Sequence, residues 1–207
     1  MINLMHRGYM PGGGLWSPGR TTFVLNIPKN ASTYTLNILR ENSWDHVSIV
    51  HVITQSKNPI DTIILLRDPV DRWISGFTTY CANYILGADY TAGQFIKDYN
   101  DLTERLIFDN LIFDDHTEPQ STFIDQLTNQ FNKKFIIITD DRKKLIEDIA
   151  TITGNKLTVP TVDTNSSEDN QDTKIISDFM RSRVNDALQT KIFDRYYRDY
   201  EILQNIK

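Results

Sequence analysis

The segment Ile60–Leu66 (IDTIILL) is almost entirely apolar and stops at Arg67-Asp68-Pro69. A strand that is apolar on both faces needs cover on both, which is how a central strand of a parallel sheet reads. Asp68 can cap the following helix and Pro69 can occupy its first turn. That helix is predicted over about Val70–Tyr84, with Trp73, Phe77 and Tyr80 along one side. Upstream, Thr21–Ile27 reads as a buried strand and Ser32–Glu41 as a helix, together half of a βαβ unit. His46–Val52 alternates like a strand, and Phe135–Thr139 reads as a further buried strand before a helix over about Asp141–Thr153. Short helices are expected within Thr91–Phe131, broken at Asp109-Asn110 and at Asp114–Pro119. Asn155–Gln171 reads as a polar loop, and Thr173–Asn205 as a long helical region with a break near Gln189-Thr190. The expected fold class is α/β, a P-loop-like three-layer arrangement with a mainly parallel central sheet flanked by helices. Residues 1–20 read as an irregular Gly/Pro-rich N-terminal arm, and residues 21–207 as one domain.

Composition narrows the function. The 207 residues carry 22 Lys plus Arg against 27 Asp plus Glu, a formal net charge of −5. A nucleic-acid binder would show a basic excess, so no nucleic-acid partner is expected. No stretch approaches the ~20 apolar residues of a membrane span, and Met1–Met10 lacks the apolar run of a signal peptide. With Cys81 the sole cysteine, no internal disulfide can form. The expectation is a cytoplasmic protein without membrane association.

Two segments carry chemistry. The first, Ile27-Pro28-Lys29-Asn30-Ala31-Ser32-Thr33, joins the first predicted strand to the first predicted helix. Amides at a helix start lack intrahelical partners and sit at the positive end of the dipole, so they can hold an anion. Lys29 adds a cation, and Ser32 and Thr33 add hydroxyls, yet the Walker pattern G-x-x-x-x-G-K-[ST] is absent. A plain strand-to-helix turn with a solvated lysine fits the same residues. The second segment runs from Leu65 to Phe77 (LLRDPVDRWISGF). Arg67 stands at the carboxyl end of a strand, where α/β sheets bind ligands, and Ser75 follows two turns into the helix. Arg67 can grip a phosphate in bidentate fashion; an Arg67–Asp71 ion pair is the alternative, with Arg72 solvated or structural.

Taken together, IPKNAST and RDPVDRWISGF resemble the sulfotransferases that use 3′-phosphoadenosine 5′-phosphosulfate (PAPS), most of all the carbohydrate (Golgi-type, sulfotransferase family 2-like) branch. Its motifs read close to IPK-x-A-S-T and RDP-x-x-R-x-x-S-x-[YF]. Asp115-His116-Thr117-Glu118-Pro119-Gln120 is similar to its H-x-x-P-Q segment, Asn165-Ser166-Ser167 to an N-x-S stretch, and Ile192–Leu203 to its closing Y-x-x-D-[YF]-x-x-[FL] helix. The resemblance implies that Lys29, Asn30, Ala31, Ser32 and Thr33 hold the 5′-phosphosulfate, and that Arg67 and Ser75 hold the 3′-phosphate. It also implies a sulfuryl transfer to a hydroxyl of a sugar or glycan, with 3′-phosphoadenosine 5′-phosphate (PAP) as the product.

By analogy with phosphoryl transfer, attacking and leaving oxygens should lie in line. A sulfuryl group carries less charge than a phosphoryl group and has less need of a metal clamp. The four histidines, His6, His46, His51 and His116, are scattered in sequence, so no metal is expected. Lys29 would offset charge on the bridging oxygen, and His116 is the first candidate for the general base. Asp114, Asp115 and Glu118 are alternatives to it, and a loop histidine that fixes the backbone near Pro119 is the bland reading. His51 reads as a packed or edge residue, Cys81 as a small helix-face apolar group, and Trp73, Phe77, Tyr196, Tyr197 and Tyr200 as helical packing. Two competing functions remain: a non-catalytic nucleotide-binding module, and a P-loop kinase or NTPase with Asp140 as its magnesium-binding carboxylate.

Overall fold

The computed structural model describes residues 12–139, 141–158 and 171–206, apart from the side chain of Ser32. The chain divides into two compact units. Of the described residues, one unit bears the sheet and takes in 12–67, resumes at Gln120 and includes Ile202 onward; the other is helical and comprises Asp68–Pro119 and the C-terminal helices as far as Glu201.

In the sheet unit the strands are β1 (Gly13–Trp16), β2 (Thr22–Asn26), β3 (Asp45–Ser48), β4 (Ile60–Leu66) and β5 (Phe131–Ile137), and the helices are α1 (Ser32–Glu41), α2 (Ile49–Gln55), α6 (Gln120–Ile124) and α7 (Arg142–Thr153). The strand order is β3-β1-β2-β4-β5. β2–β4 and β4–β5 are parallel, with Val24 opposite Ile63 and Ile64 opposite Phe135, whereas β1 runs antiparallel to both β2 and β3. The sheet is therefore mixed rather than mainly parallel, because a strand from the predicted arm lies between β2 and β3. Its glycines read as loop formers, but Gly14 is there for close approach. A Cβ at that position would run into the Val24 carbonyl oxygen and lie 2.7 Å from the Phe23 ring.

Alternation along the strands sends apolar side chains to both faces of the sheet. Phe23, Leu25, Ile60, Ile64 and Leu66 pack with Ile49 and Val52 of α2 and Phe123 and Ile124 of α6. Val24, Ile63 and Leu65 pack with Ile38 and Leu39 of α1 and Leu145, Ile146 and Ile149 of α7. The unit is thus a helix–sheet–helix layering, as expected. His46–Val52 is not one strand. The Ser48 side chain accepts from His51 N at 3.1 Å and starts α2, which buries Ile49 and Val52 at helical spacing. β5 begins at Phe131, ahead of the apolar run at Phe135, because the polar Asn132 and Lys134 face Asp61 of β4.

The helical unit contains α3 (Pro69–Tyr84), α4 (Ala92–Asp98), α5 (Asp101–Asn110), α8 (Gln171–Arg183), α9 (Asp186–Arg195) and the first residues of α10 (Tyr197–Asn205). Its core joins Trp73, Phe77 and Tyr80 of α3 to Phe95, Ile107, Phe113, Ile176, Met180 and Ile192. The C-terminal helices break at Val184-Asn185 and at Tyr196 rather than near Gln189-Thr190, since the Asn185 side chain caps α9 by accepting from Leu188 N at 2.9 Å. Cys81 is fully buried in this core, and desolvation, followed by the charge of Asp114, pushes its thiol far up. A thiol reagent such as iodoacetamide is expected to leave the native protein unlabelled and to label it fully in denaturant; labelling of the native protein at the denatured rate would contradict this burial.

Candidate donor and base sites

β2 and β4 are parallel neighbours, so the turn after β2 and the residue after β4 emerge at the same edge of the sheet. That topology brings Lys29 to Arg67: Arg67 Nη1 donates to Lys29 O at 3.3 Å. The turn is tightly wound. Lys29 (φ 67°) and Ala31 (φ 52°) are both held in the left-handed region, which costs a side-chain-bearing residue roughly 1–2 kcal/mol. Such strain persists where the surroundings enforce it and gathers at binding sites. Lysine and alanine here adopt the conformations for which glycine is used elsewhere. Ala31 occupies the N-cap of α1 and offers no side-chain acceptor to the first-turn amides. Those amides, Lys29 and Arg67 form a donor set of one sign, suited to a polyanion.

Asn30 is buried inside the turn. Its Nδ2 donates to Leu65 O and to Gln120 Oε1, each at 2.6 Å. Thr33 is exposed in the first turn of α1, and the Ser32 backbone opens that helix.

In the helical unit, Asp68 caps α3 by accepting from Val70 N at 2.9 Å and Asp71 N at 3.1 Å, and Pro69 lies in the first turn, as predicted. Ser75 is half-buried two turns further on. Asp71 pairs with Arg181 at 2.5 Å. Arg72 is fully buried and donates through Nη1 to Glu118 O, so of its two expected roles the structural one holds.

His116 is partly exposed, at 27%, and its Nδ1 lies 2.9 Å from Asp114 Oδ2 and 3.1 Å from Asp115 Oδ1. Asp114 is only 2% exposed and also accepts from His116 N at 3.0 Å. An ionised carboxylate only accepts, so in the neutral ring Nδ1 would be the donor toward Asp114 and Nε2 the acceptor. Asp114 is thereby the partner that orients the imidazole. The ligand atoms of Asp114, Asp115 and His116 lie within 4.8 Å of one another and could also hold a metal ion.

The backbone around His116 is fastened from several sides. Trp73 Nε1 donates to Leu111 O at 2.8 Å, and Thr117 Oγ1 accepts from Phe113 N at 2.7 Å and Asp114 N at 3.1 Å. The Tyr196 hydroxyl donates to Thr117 O, and burial raises its pKa far enough to keep it protonated. Gly76 packs against the His116 carbonyl: a Cβ there would overlap the oxygen and lie 2.8 Å from the carbon. Sequence reasoning missed Gly76, Gln120 and Tyr196 as supports; a glycine inside an apolar helix was the available signal for the first. Asp140 and Asn165-Ser166-Ser167 lie outside the described residues.

The parallel pair β2–β4 brings a strained, cation-bearing turn and an arginine together at the carboxyl ends of the strands of an α/β sheet. The family model described as Sulfotransferase family matches residues 16–204, and the chain belongs to that family. Family membership means sulfuryl transfer, with a nucleotide sulfate donor and a hydroxyl acceptor. No curated protein and no solved structure matches the chain. Among the described residues, no helix is long and apolar enough to cross a membrane.

Proposed function

We propose that the protein moves a sulfuryl group from PAPS to a carbohydrate hydroxyl by in-line transfer without a metal. The observation that carries this reading is the turn Lys29–Ala31, strained at two side-chain-bearing residues and joined to Arg67. In the reading, Lys29 and the backbone of Asn30, Ala31, Ser32 and Thr33 bind the 5′-phosphosulfate, and Lys29 also offsets charge on the oxygen that departs with the nucleotide. Fixed donors aimed at developing charge are commonly the largest single contribution to such catalysis. Arg67 and Ser75 bind the 3′-phosphate. His116 Nε2 takes the proton of the acceptor hydroxyl, with Asp114 holding the ring. The sugar acceptor rests on the likeness of IPKNAST and RDPVDRWISGF to the carbohydrate branch.

The test is calorimetric titration with PAP, with ADP and ATP–Mg²⁺ alongside. PAP is expected to bind most tightly, and Arg67→Ala to weaken it roughly 10- to 150-fold, the loss of one charge-assisted contact of about 1.5–3 kcal/mol. Preference for ATP–Mg²⁺ would favour a kinase or NTPase, and PAP binding with no sulfuryl transfer from PAPS to any sugar would favour a non-catalytic module.

A further inference from the structure

Gln120 is completely buried at the start of α6, and one carboxamide reaches both halves of the donor edge. Its Oε1 accepts from Arg67 N at 2.9 Å and from Asn30 Nδ2 at 2.6 Å, while its Nε2 donates to Arg67 O at 2.9 Å. The two bonds to Arg67 copy the exchange of N–H and C=O bonds that a strand neighbour would make, and they do so at the residue where β4 has just ended. The third bond pins Asn30, which is anchored in turn to Leu65 O. Only a group with a donor and an acceptor on one planar head can serve Arg67 N–H and C=O together. Glutamate would set an acceptor against Arg67 O, and an apolar side chain would leave buried backbone groups without these partners.

We infer that Gln120 is a positioning residue for the nucleotide. It aims Arg67 and, through Asn30, fixes the Lys29 turn, so recognition at the 3′ end and at the 5′ end of the donor is set by one side chain. This rests on the donor-site reading proposed above for Arg67 and Lys29. The consequence is a coupling: removing Gln120 should harm the discrimination that Arg67 supplies, beyond any general loss of stability.

The experiment compares PAP with AMP, which lacks the 3′-phosphate, on the full chain, with thermal unfolding of each variant recorded in parallel. In the wild type, PAP should bind more tightly than AMP. In Gln120→Met, close in size but without the hydrogen bonds, the PAP:AMP affinity ratio should fall about tenfold. In the Arg67→Ala background, the same change should leave the ratio where Arg67→Ala alone puts it, since interacting residues are non-additive. A merely structural glutamine would lower the melting temperature and leave the ratio alone, and that outcome overturns the inference. If Gln120→Met does not fold, Gln120→Asn keeps an uncharged carboxamide one carbon too short for the same partners and gives the same readout. A wild type with no preference for PAP would instead overturn the donor-site reading itself, whereas a preference retained in the Gln120 variants removes only this role for Gln120.

Discussion

His116→Gln should lower sulfuryl transfer by roughly 10²–10⁴-fold, the range that a positioned general base contributes, and leave PAP affinity at the wild-type value. Glutamine can still hydrogen-bond to Asp114, so the loop should keep its shape and the loss should fall on the proton transfer. The size of the effect follows from the orientation already in place. Nδ1 is engaged by a carboxylate that is 2% exposed and by a second at 3.1 Å, so the ring is held in place and its other nitrogen, Nε2, is the one left to meet a hydroxyl. Single-turnover rates with saturating PAPS, read beside calorimetric PAP affinities, check this. A variant with wild-type transfer would remove His116 from the reaction and return it to a loop-fixing role.

Gly76→Ala is the second large effect, and its sign is diagnostic. Within an exposed helix, glycine to alanine should stabilise by about 1 kcal/mol. Here the new methyl would press on the His116 carbonyl, 2.8 Å from its carbon and 3.3 Å from Thr117 Cγ2. The neighbour is backbone and cannot swing aside. It is held by Tyr196 at Thr117 O, by Arg72 at Glu118 O and by the hydroxyl of Thr117 at Phe113 N and Asp114 N. Overpacking of this kind costs about 1–3 kcal/mol, and moving a catalytic group by ~1 Å can cost about 10²-fold in rate. Gly76→Ala should therefore melt earlier and turn over more slowly at unchanged PAP affinity. An unchanged or raised melting temperature with full activity would show that the loop yields.

What the sequence made legible was what local chemistry decides. Asp68 and Pro69 announced α3, Asp141 announced α7, and the apolar run Ile60–Leu66 gave β4 to the residue. Where two local signals competed, the reading failed. HVSIVHV alternates, yet the Ser48 hydroxyl starts a helix inside it. Gly13 and Gly14 read as loop, yet the sheet needs a residue without Cβ at Gly14. Asn132, Lys133 and Lys134 hid the start of β5, because an edge strand tolerates polar residues that a central one does not. At the site, Lys29 and Arg67 were visible through their motifs. The work of Gln120 was not, because it depends on β2 and β4 lying side by side, a fact of topology that no window of residues contains.

The turn after β2 also bears on how such sites are recognised. Glycine spacing identifies phosphate loops because glycine takes left-handed angles at no cost. Lys29 and Ala31 take the same angles with a side chain attached, so the charge sits on the bend itself instead of following it. A substitution that eases the bend at Lys29 would also strip its cation, whereas at Ala31 glycine would only relax the backbone. The two positions therefore face different mutational constraints although their torsion angles are alike, and kindred loops will be found by backbone geometry more readily than by counting glycines.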